Sequence, residues 1–219
     1  MAEKLNCGFL HSLLYPVRCP YCNKLIERHE YACKDCLRDI PENGIEQGVL
    51  GGYRCCSPLP YTGNFKKAML RFKLGGKRRY AKRFAPLLYK QIKESYEDTV
   101  FDYITFVPMH KVNIRQRGFN QSELLALELS NLMKIPYFKV IEKDKMTHAQ
   151  HGLKLDQRRT NLKGAFKVID KQKIDGRSIL LLDDIITTGS TLGECAKTLQ
   201  KAKPSYICCV TLLSVANLY

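Results

Sequence analysis

A strand-like run that ends in two acids and leads into a loop of hydroxyl residues is the strongest chemical signal in the sequence. The apolar run 179–182 precedes Asp183 and Asp184, and an amphipathic helical pattern follows the loop. The loop contains Thr187, Thr188, Gly189, Ser190 and Thr191. Backbone N–H groups at such a turn, together with hydroxyl donors, can hold a phosphate. Adjacent carboxylates would repel that phosphate unless they bind another group, and the hydroxyls of a ribose can donate to them. The pattern therefore predicts a sugar-phosphate site.

Two other interpretations of this segment are weaker. A P-loop is excluded because the Gly-Lys-Ser/Thr ending is missing. The acids could simply cap a strand end, but that would explain only two of the thirteen residues in the pattern 179–191.

Four of the ten cysteines have metal-ligand spacing. Cys19 and Cys22 form one Cys-x-x-Cys pair, Cys33 and Cys36 form another, and ten residues separate the pairs. Four thiolates are the ligand set of a closed, structural zinc site. Two disulfides are the alternative, but no signal peptide is recognisable, and a thioredoxin-like redox site would need one pair inside a βαβ pattern. The sequence does not assign a role to Cys55 and Cys56.

The net charge is unevenly distributed along the chain. It is +15 overall, with 7 basic and 7 acidic residues in 1–60, 16 and 6 in 61–140, and 13 and 8 in 141–219. Gly and Pro are frequent in 41–60, as in a linker or hairpin. We therefore predict a zinc-binding module with its linker at 1–50 and a second domain at 51–219. The positive charge favours a polyanionic partner.

The densest positive charge lies in residues 64–83, called the basic segment below. It holds nine cations and no acid, and Phe65, Met69 and Phe72 recur at helical spacing. A solvated face over an apolar core is one interpretation, and contact with a phosphate backbone is the other. The residues predicted to bind nucleic acid are Lys66, Lys67, Arg71, Lys73, Lys77, Arg78 and Arg79.

The rest of the chain alternates between strand and helix patterns. Candidate strands are 101–108, 136–141, 165–169, 178–183 and 206–214, and candidate helices lie near 119–133 and 189–202. A further helical pattern contains Pro86, so we expect a kink or restart there. Such alternation predicts an α/β fold with a parallel-rich sheet and helices on both faces.

Ligands of such sheets bind beyond the carboxyl ends of the strands, where the segments 108–121, 144–161 and 183–191 should meet. The first is predicted to be a basic loop suited to pyrophosphate, and it carries Lys111, Arg115 and Arg117. The second is long and polar, carries Arg158 and Arg159, and is predicted to close as a lid. His148 and His151 in this lid are more simply explained as solvated residues.

Residues 179–191 resemble the 5-phosphoribosyl-1-pyrophosphate (PRPP) motif of the class I phosphoribosyltransferases. The resemblance implies that Asp183 and Asp184 hold the ribose hydroxyls and that residues 187–191 hold the 5′-phosphate. It also implies displacement of pyrophosphate from ribose C1, with Mg²⁺ on the leaving group and arginines around it. The residues expected to carry catalysis are Asp183, Asp184, Arg117 and Arg158.

Further motifs narrow the resemblance. The segment 117–121 reads Arg-Gly-Phe-Asn-Gln, and Thr147-x-x-Gln150 leads into Arg158-x-x-Asn161. Together with the cysteine pairs, these motifs resemble the ComF family of competence proteins, from about Tyr15 to the C-terminus. The implied fold is a type I phosphoribosyltransferase-like domain preceded by a small zinc-ribbon-like module.

The resemblance implies a cytoplasmic protein that binds PRPP and assists natural transformation, in the uptake or processing of incoming single-stranded DNA. Whether it is an active phosphoribosyltransferase stays open. One alternative is an enzyme of nucleobase or nucleotide metabolism, and another is a non-catalytic protein that responds to PRPP or a nucleotide. Expected partners are PRPP, single-stranded DNA and proteins of the uptake machinery. No transmembrane segment is expected, whereas peripheral membrane association is compatible with the charge.

Overall fold

A computed structural model describes residues 16–49, 51–144 and 162–215. Its elements up to residue 106 are α1 (Lys34–Arg38), β1 (Ile45–Val49), β2 (Tyr53–Ser57), β3 (Leu59–Pro60), α2 (Gly63–Leu74), α3 (Tyr80–Ser95) and β4 (Tyr103–Phe106). The elements that follow are α4 (Lys111–Arg117), α5 (Gln121–Met133), β5 (Ile141–Lys143), β6 (Phe166–Val168), β7 (Ser178–Ile186), α6 (Ser190–Gln200) and β8 (Tyr206–Ser214).

The main sheet has the strand order β1-β2-β8-β7-β4, and β3 also pairs with β8. The pairs β2–β8, β8–β7 and β7–β4 are parallel, while β1 and β2 form an antiparallel hairpin. The strands β7 and β8 lie at the centre because their long apolar runs are buried on both faces, as is typical of parallel sheets. The hairpin strand β1 belongs to this sheet. The sheet therefore begins before residue 51, where we predicted the second domain to start.

Helices cover both faces of the sheet, which confirms the predicted fold class. On one face, Met69 of α2, Leu88 of α3 and Leu125 of α5 pack into one apolar cluster with the sheet. On the other face, Leu192 and Leu199 of α6 pack into a second cluster. Among the described residues, no helix has the length and apolar character needed to span a membrane.

Two local expectations were wrong. The candidate strands 136–141 and 165–169 do not extend the main sheet: β5 and β6 form a separate antiparallel pair, and Tyr137 makes only an isolated bridge to Ile104. At Pro86, where we expected a kink or a restart, α3 continues without a restart. Packing of its buried face, which includes Phe84, Leu88 and Ile92, keeps the helix continuous although proline removes one backbone hydrogen bond.

Candidate active site and metal centre

The acid pair lies inside β7, near the end of the strand. The ladder with β8 continues past both acids to Ile186. Oδ1 of Asp183 accepts hydrogen bonds from Ser122 Oγ at 2.8 Å and from the backbone N–H of Asp184 at 2.8 Å. Oδ1 of Asp184 lies 2.9 Å from Lys73 Nζ. Each carboxylate is therefore oriented by a group that the motif itself does not contain.

The pKa of Asp183 is raised above the ordinary carboxyl value. Burial is the main cause, and the neighbouring charge of Asp184 adds to it. The hydrogen bonds from Ser122 and from the Asp184 backbone, with the charge of Lys73, act in the opposite direction. Ligand groups that donate hydrogen bonds to Asp183 would favour its ionised form.

The hydroxyl loop continues directly from β7 into α6. Gly189 adopts a left-handed conformation with φ of 69° just before α6, a conformation that glycine adopts without steric cost. Thr188 Oγ1 lies 2.8 Å from Ser190 Oγ and accepts weakly from the Ser190 backbone N–H at 3.4 Å. The hydroxyls and the start of α6 therefore lie together at one short turn, which is what an anion site requires.

The predicted basic loop after β4 is partly helical. His110 caps α4, since its Nδ1 accepts from the Val112 backbone N–H at 3.3 Å. The three cations assigned to pyrophosphate, Lys111, Arg115 and Arg117, are exposed on α4. Two residues could have predicted this short helix from the sequence: His110, which is its N-cap, and Gly118, which is its left-handed C-cap.

The asparagine of the Arg-Gly-Phe-Asn-Gln segment connects this region to the acid pair. Asn120 Nδ2 donates to the Val107 carbonyl at 3.1 Å, and its Oδ1 accepts from the Ser122 backbone N–H at 3.1 Å. Asn120 is thereby the N-cap of α5 and places the Ser122 hydroxyl on Asp183. Ser122 was not predicted as a site residue, because a serine in the first turn of a helix carries no distinctive sequence signal.

The basic segment divides into cations with protein partners and cations that face solvent. Arg71 donates to the carbonyls of Pro20 and Tyr21, and Lys73 pairs with Asp184. Arg78 donates to the Gly118 carbonyl at 2.9 Å and lies over the Phe119 ring. Of the seven cations predicted to bind nucleic acid, three are the partnered residues just named, and the other four are exposed on the surface of the described residues: Lys66, Lys67, Lys77 and Arg79. Lys66 lies 5.5 Å from the Tyr61 ring centroid.

The four predicted metal ligands come together. The Sγ atoms of Cys19, Cys22, Cys33 and Cys36 all lie within 4.8 Å of one another. Four thiolates around zinc at about 2.3 Å are roughly 3.8 Å apart, so this arrangement fits a tetrahedral zinc site. A hairpin turn with Asn23 in the left-handed region presents the first pair, and the second pair flanks the start of α1.

The metal module packs against the larger domain. The Tyr21 ring contacts Phe65 with centroids 5.2 Å apart and Phe84 with centroids 5.8 Å apart. Arg83 of α3 donates to the Glu30 carbonyl. The module therefore shares an apolar cluster with α2 and α3.

Several predicted residues lie outside the described residues. They are Arg158 and Arg159 of the predicted lid, with His148 and His151.

Comparison with known proteins identifies two family models along the chain. The phosphoribosyl transferase domain matches residues 86–218, and the double zinc ribbon domain matches residues 10–48. The first covers β4, the acid pair and the hydroxyl loop, and the second covers the four cysteines.

Curated relatives from several bacteria match most of the chain. Competence protein F of Haemophilus influenzae is 31% identical over 84% of this chain and 78% of its own length. The DNA utilization protein YhgH of Escherichia coli K12 is 27% identical over 83% and 77%. Competence protein ComFC of Bacillus subtilis is 26% identical over 89% and 77%.

Proposed function

The chain belongs to the ComF family of competence proteins, with a phosphoribosyl transferase domain behind a zinc ribbon, and from this we propose that it binds PRPP with Mg²⁺ and assists natural transformation in the cytoplasm. The proposed task is the uptake or processing of incoming single-stranded DNA. The names of the relatives support it, since they refer to competence and to DNA utilization.

The observation that carries the PRPP proposal is the continuity of the acid pair, the hydroxyl loop and the start of α6. Asp183 is a partly buried acceptor held in place by Ser122, and Asp184 is a buried acceptor held in place by Lys73. Directly after β7, residues 187–191 offer hydroxyls and backbone N–H groups. A phosphorylated ribose has hydroxyl donors at one side and an anion at the other, so it matches both halves of this site.

Pyrophosphate would lie towards α4, the exposed cationic helix at the same end of the sheet. The exposed charges of Lys111, Arg115 and Arg117 would attract it. Carboxylate oxygens such as those of the acid pair are ligands that Mg²⁺ accepts alongside substrate phosphates. Bound Mg²⁺ would supply stabilisation of the charge that develops on the departing pyrophosphate. The protein's own contribution is to orient the ribose and hold cations around the leaving group.

Release of pyrophosphate from PRPP tests whether the site is catalytic. We expect release to rise above the uncatalysed rate with one member of a panel of nucleobases, amines and single-stranded DNA ends. A DNA end as the acceptor would link the phosphoribosyl site to competence, and a free base would favour nucleotide metabolism. Saturable PRPP binding without release by any acceptor would identify a PRPP-responsive binding protein, and the proposal of catalysis would be wrong.

Single-stranded DNA is proposed to bind the exposed cations of the basic segment. Phe65, Met69 and Phe72 are buried, so base stacking on them is not available and phosphate contacts should dominate. Replacing Lys66, Lys67, Lys77 and Arg79 by Glu should weaken binding and flatten the salt dependence by about one ion per lost contact.

Fluorescence anisotropy of labelled oligonucleotides at several salt concentrations measures both effects. Charge reversal of Lys90 and Lys93, exposed on α3 outside the basic segment, is the control. If the fourfold variant and the wild type have the same DNA affinity and the same salt dependence of that affinity, the basic segment is only a solvated face.

A further inference from the structure

Helix α2 contacts both the four-cysteine site and the acid pair, through two residues that lie two positions apart. Arg71 Nη2 donates to the carbonyls of Pro20 at 2.7 Å and Tyr21 at 2.6 Å, the residues between two of the four cysteine ligands. Lys73 Nζ lies 2.9 Å from Asp184 Oδ1. We propose that α2 couples the four-cysteine site to the acid pair, with Arg71 as the anchor on the metal knuckle and Lys73 as the positioning residue of Asp184.

The geometry of a helix explains how two such close residues serve different centres. Residues i and i+2 point about 200° apart around the axis, and their Cα atoms differ by only about 3 Å along it. The residue between them, Phe72, is fully buried and packs against Phe84 and Phe119, with centroids 5.7 and 5.8 Å away. A shift of the knuckle carbonyls would therefore move α2 as a packed unit and carry Lys73 with it.

The contact between Lys73 and Asp184 is more enclosed than an ordinary surface ion pair. The side chains are only 21% and 12% exposed, so solvent screens the attraction less. The ammonium group also lowers the cost of keeping two neighbouring carboxylates ionised, which is the form that accepts ribose hydroxyls. Lys73 thus acts on the sugar through the acids.

Other titratable groups also act on this pair. They are Lys143 of β5, Cys195 of α6, Cys55 of β2 and Cys209 of β8. Burial raises the pKa of each of these thiols, so they stay neutral, and burial lowers the pKa of Lys143. Lys73 makes a direct ion pair with Asp184.

The coupling rests on the proposed PRPP function, and its first test is calorimetric titration of PRPP with Mg²⁺ at neutral pH. We expect Lys73→Met to weaken binding about tenfold, as for loss of one charged hydrogen bond. Lys73→Arg should retain most of the affinity, and Lys93→Met, an exposed lysine on α3, should be unchanged.

The possible outcomes distinguish a failure of the coupling from a failure of the proposed PRPP binding. No binding of PRPP by the wild type would overturn both. Binding by the wild type and equal binding by Lys73→Met would overturn the role of Lys73 alone. A loss in Lys73→Met without rescue by Lys73→Arg would assign Lys73 a merely structural role and equally contradict the proposal.

Zinc transfer to a chromophoric chelator tests the Arg71 end. PRPP with Mg²⁺ should strengthen zinc retention in the wild type by the same factor by which zinc strengthens PRPP binding, since linkage is reciprocal. Arg71→Met and the charge-preserving Arg71→Lys should both reduce this effect, because a lysine cannot reproduce the guanidinium contacts. Zinc transfer that is independent of PRPP in the wild type would contradict the coupling.

Discussion

Replacing Asp183 and Asp184 together by Asn is expected to remove most of the thermal stabilisation that PRPP with Mg²⁺ gives to the wild-type protein. Saturating ligand should stabilise the wild type by roughly 2–4 kcal/mol through binding to the folded state alone. The amide side chains are poorer acceptors for ribose hydroxyls, and they lose the pairing with Lys73. Differential scanning fluorimetry with and without PRPP and Mg²⁺ measures the shift for both proteins.

The single variant Asp183→Asn separates ligand binding from stability. Its Oδ1 can still accept from Ser122 and from the Asp184 backbone, so the local structure should persist. Because the folded protein raises the Asp183 pKa, it holds this proton more tightly than the unfolded chain does. Ligand-free stability of the wild type should therefore fall as the pH rises from the ordinary carboxyl value through the raised pKa.

We expect Asp183→Asn to lack this decline and to be the more stable protein at pH 8, while its response to PRPP is reduced. Urea unfolding at pH 6 and pH 8 measures the difference. An undiminished PRPP shift in the double variant would show that these acids do not hold the sugar.

Replacing Cys33 by Ser should release the zinc and unfold the metal module. A small module of this kind has too little apolar core to fold alone, and zinc binding contributes on the order of 10 kcal/mol in comparable peptides. The sheet pairs β2–β8, β8–β7 and β7–β4 do not involve the module, so the phosphoribosyl domain should stay folded. The contacts of Tyr21 with Phe65 and Phe84 would be lost, which should lower the melting temperature of that domain.

Elemental analysis and amide hydrogen exchange measure these two effects. Cys208→Ala is the matched control, because Cys208 is buried in β8 outside the cluster and its loss should leave the zinc content unchanged. Stoichiometric zinc in Cys33→Ser, or full protection of residues 16–40 in it, would contradict the assignment.

The parts of the fold and site that depend on short stretches of sequence could be predicted. The pattern 179–191 predicted a strand, an acid pair and a helix start, and the structure has β7 and α6 there. Cysteine spacing predicted a cluster that the structure assembles within 4.8 Å. In both cases neighbouring residues carry the chemistry, so spacing along the chain is close to spacing in the molecule.

Contacts between distant residues could not be predicted. Lys73 precedes Asp184 by more than a hundred residues, and in sequence it is one of nine similar cations. Ser122 approaches Asp183 only because Asn120 caps α5. Sequence also predicted β6, which lies within the candidate strand 165–169, but not its partner β5, since periodicity does not specify which strands pair.

Calorimetric titration of the wild-type protein with PRPP and Mg²⁺, compared with ribose 5-phosphate and with inorganic pyrophosphate, tests the central claim most directly. The proposed site should bind one PRPP per chain and bind it more tightly than either fragment, because the acid pair, the hydroxyl loop and the cations of α4 would each contact a different part of that ligand. Binding of PRPP no tighter than that of inorganic pyrophosphate would mean that only nonspecific positive charge is involved, and would contradict a phosphoribosyl site at β7.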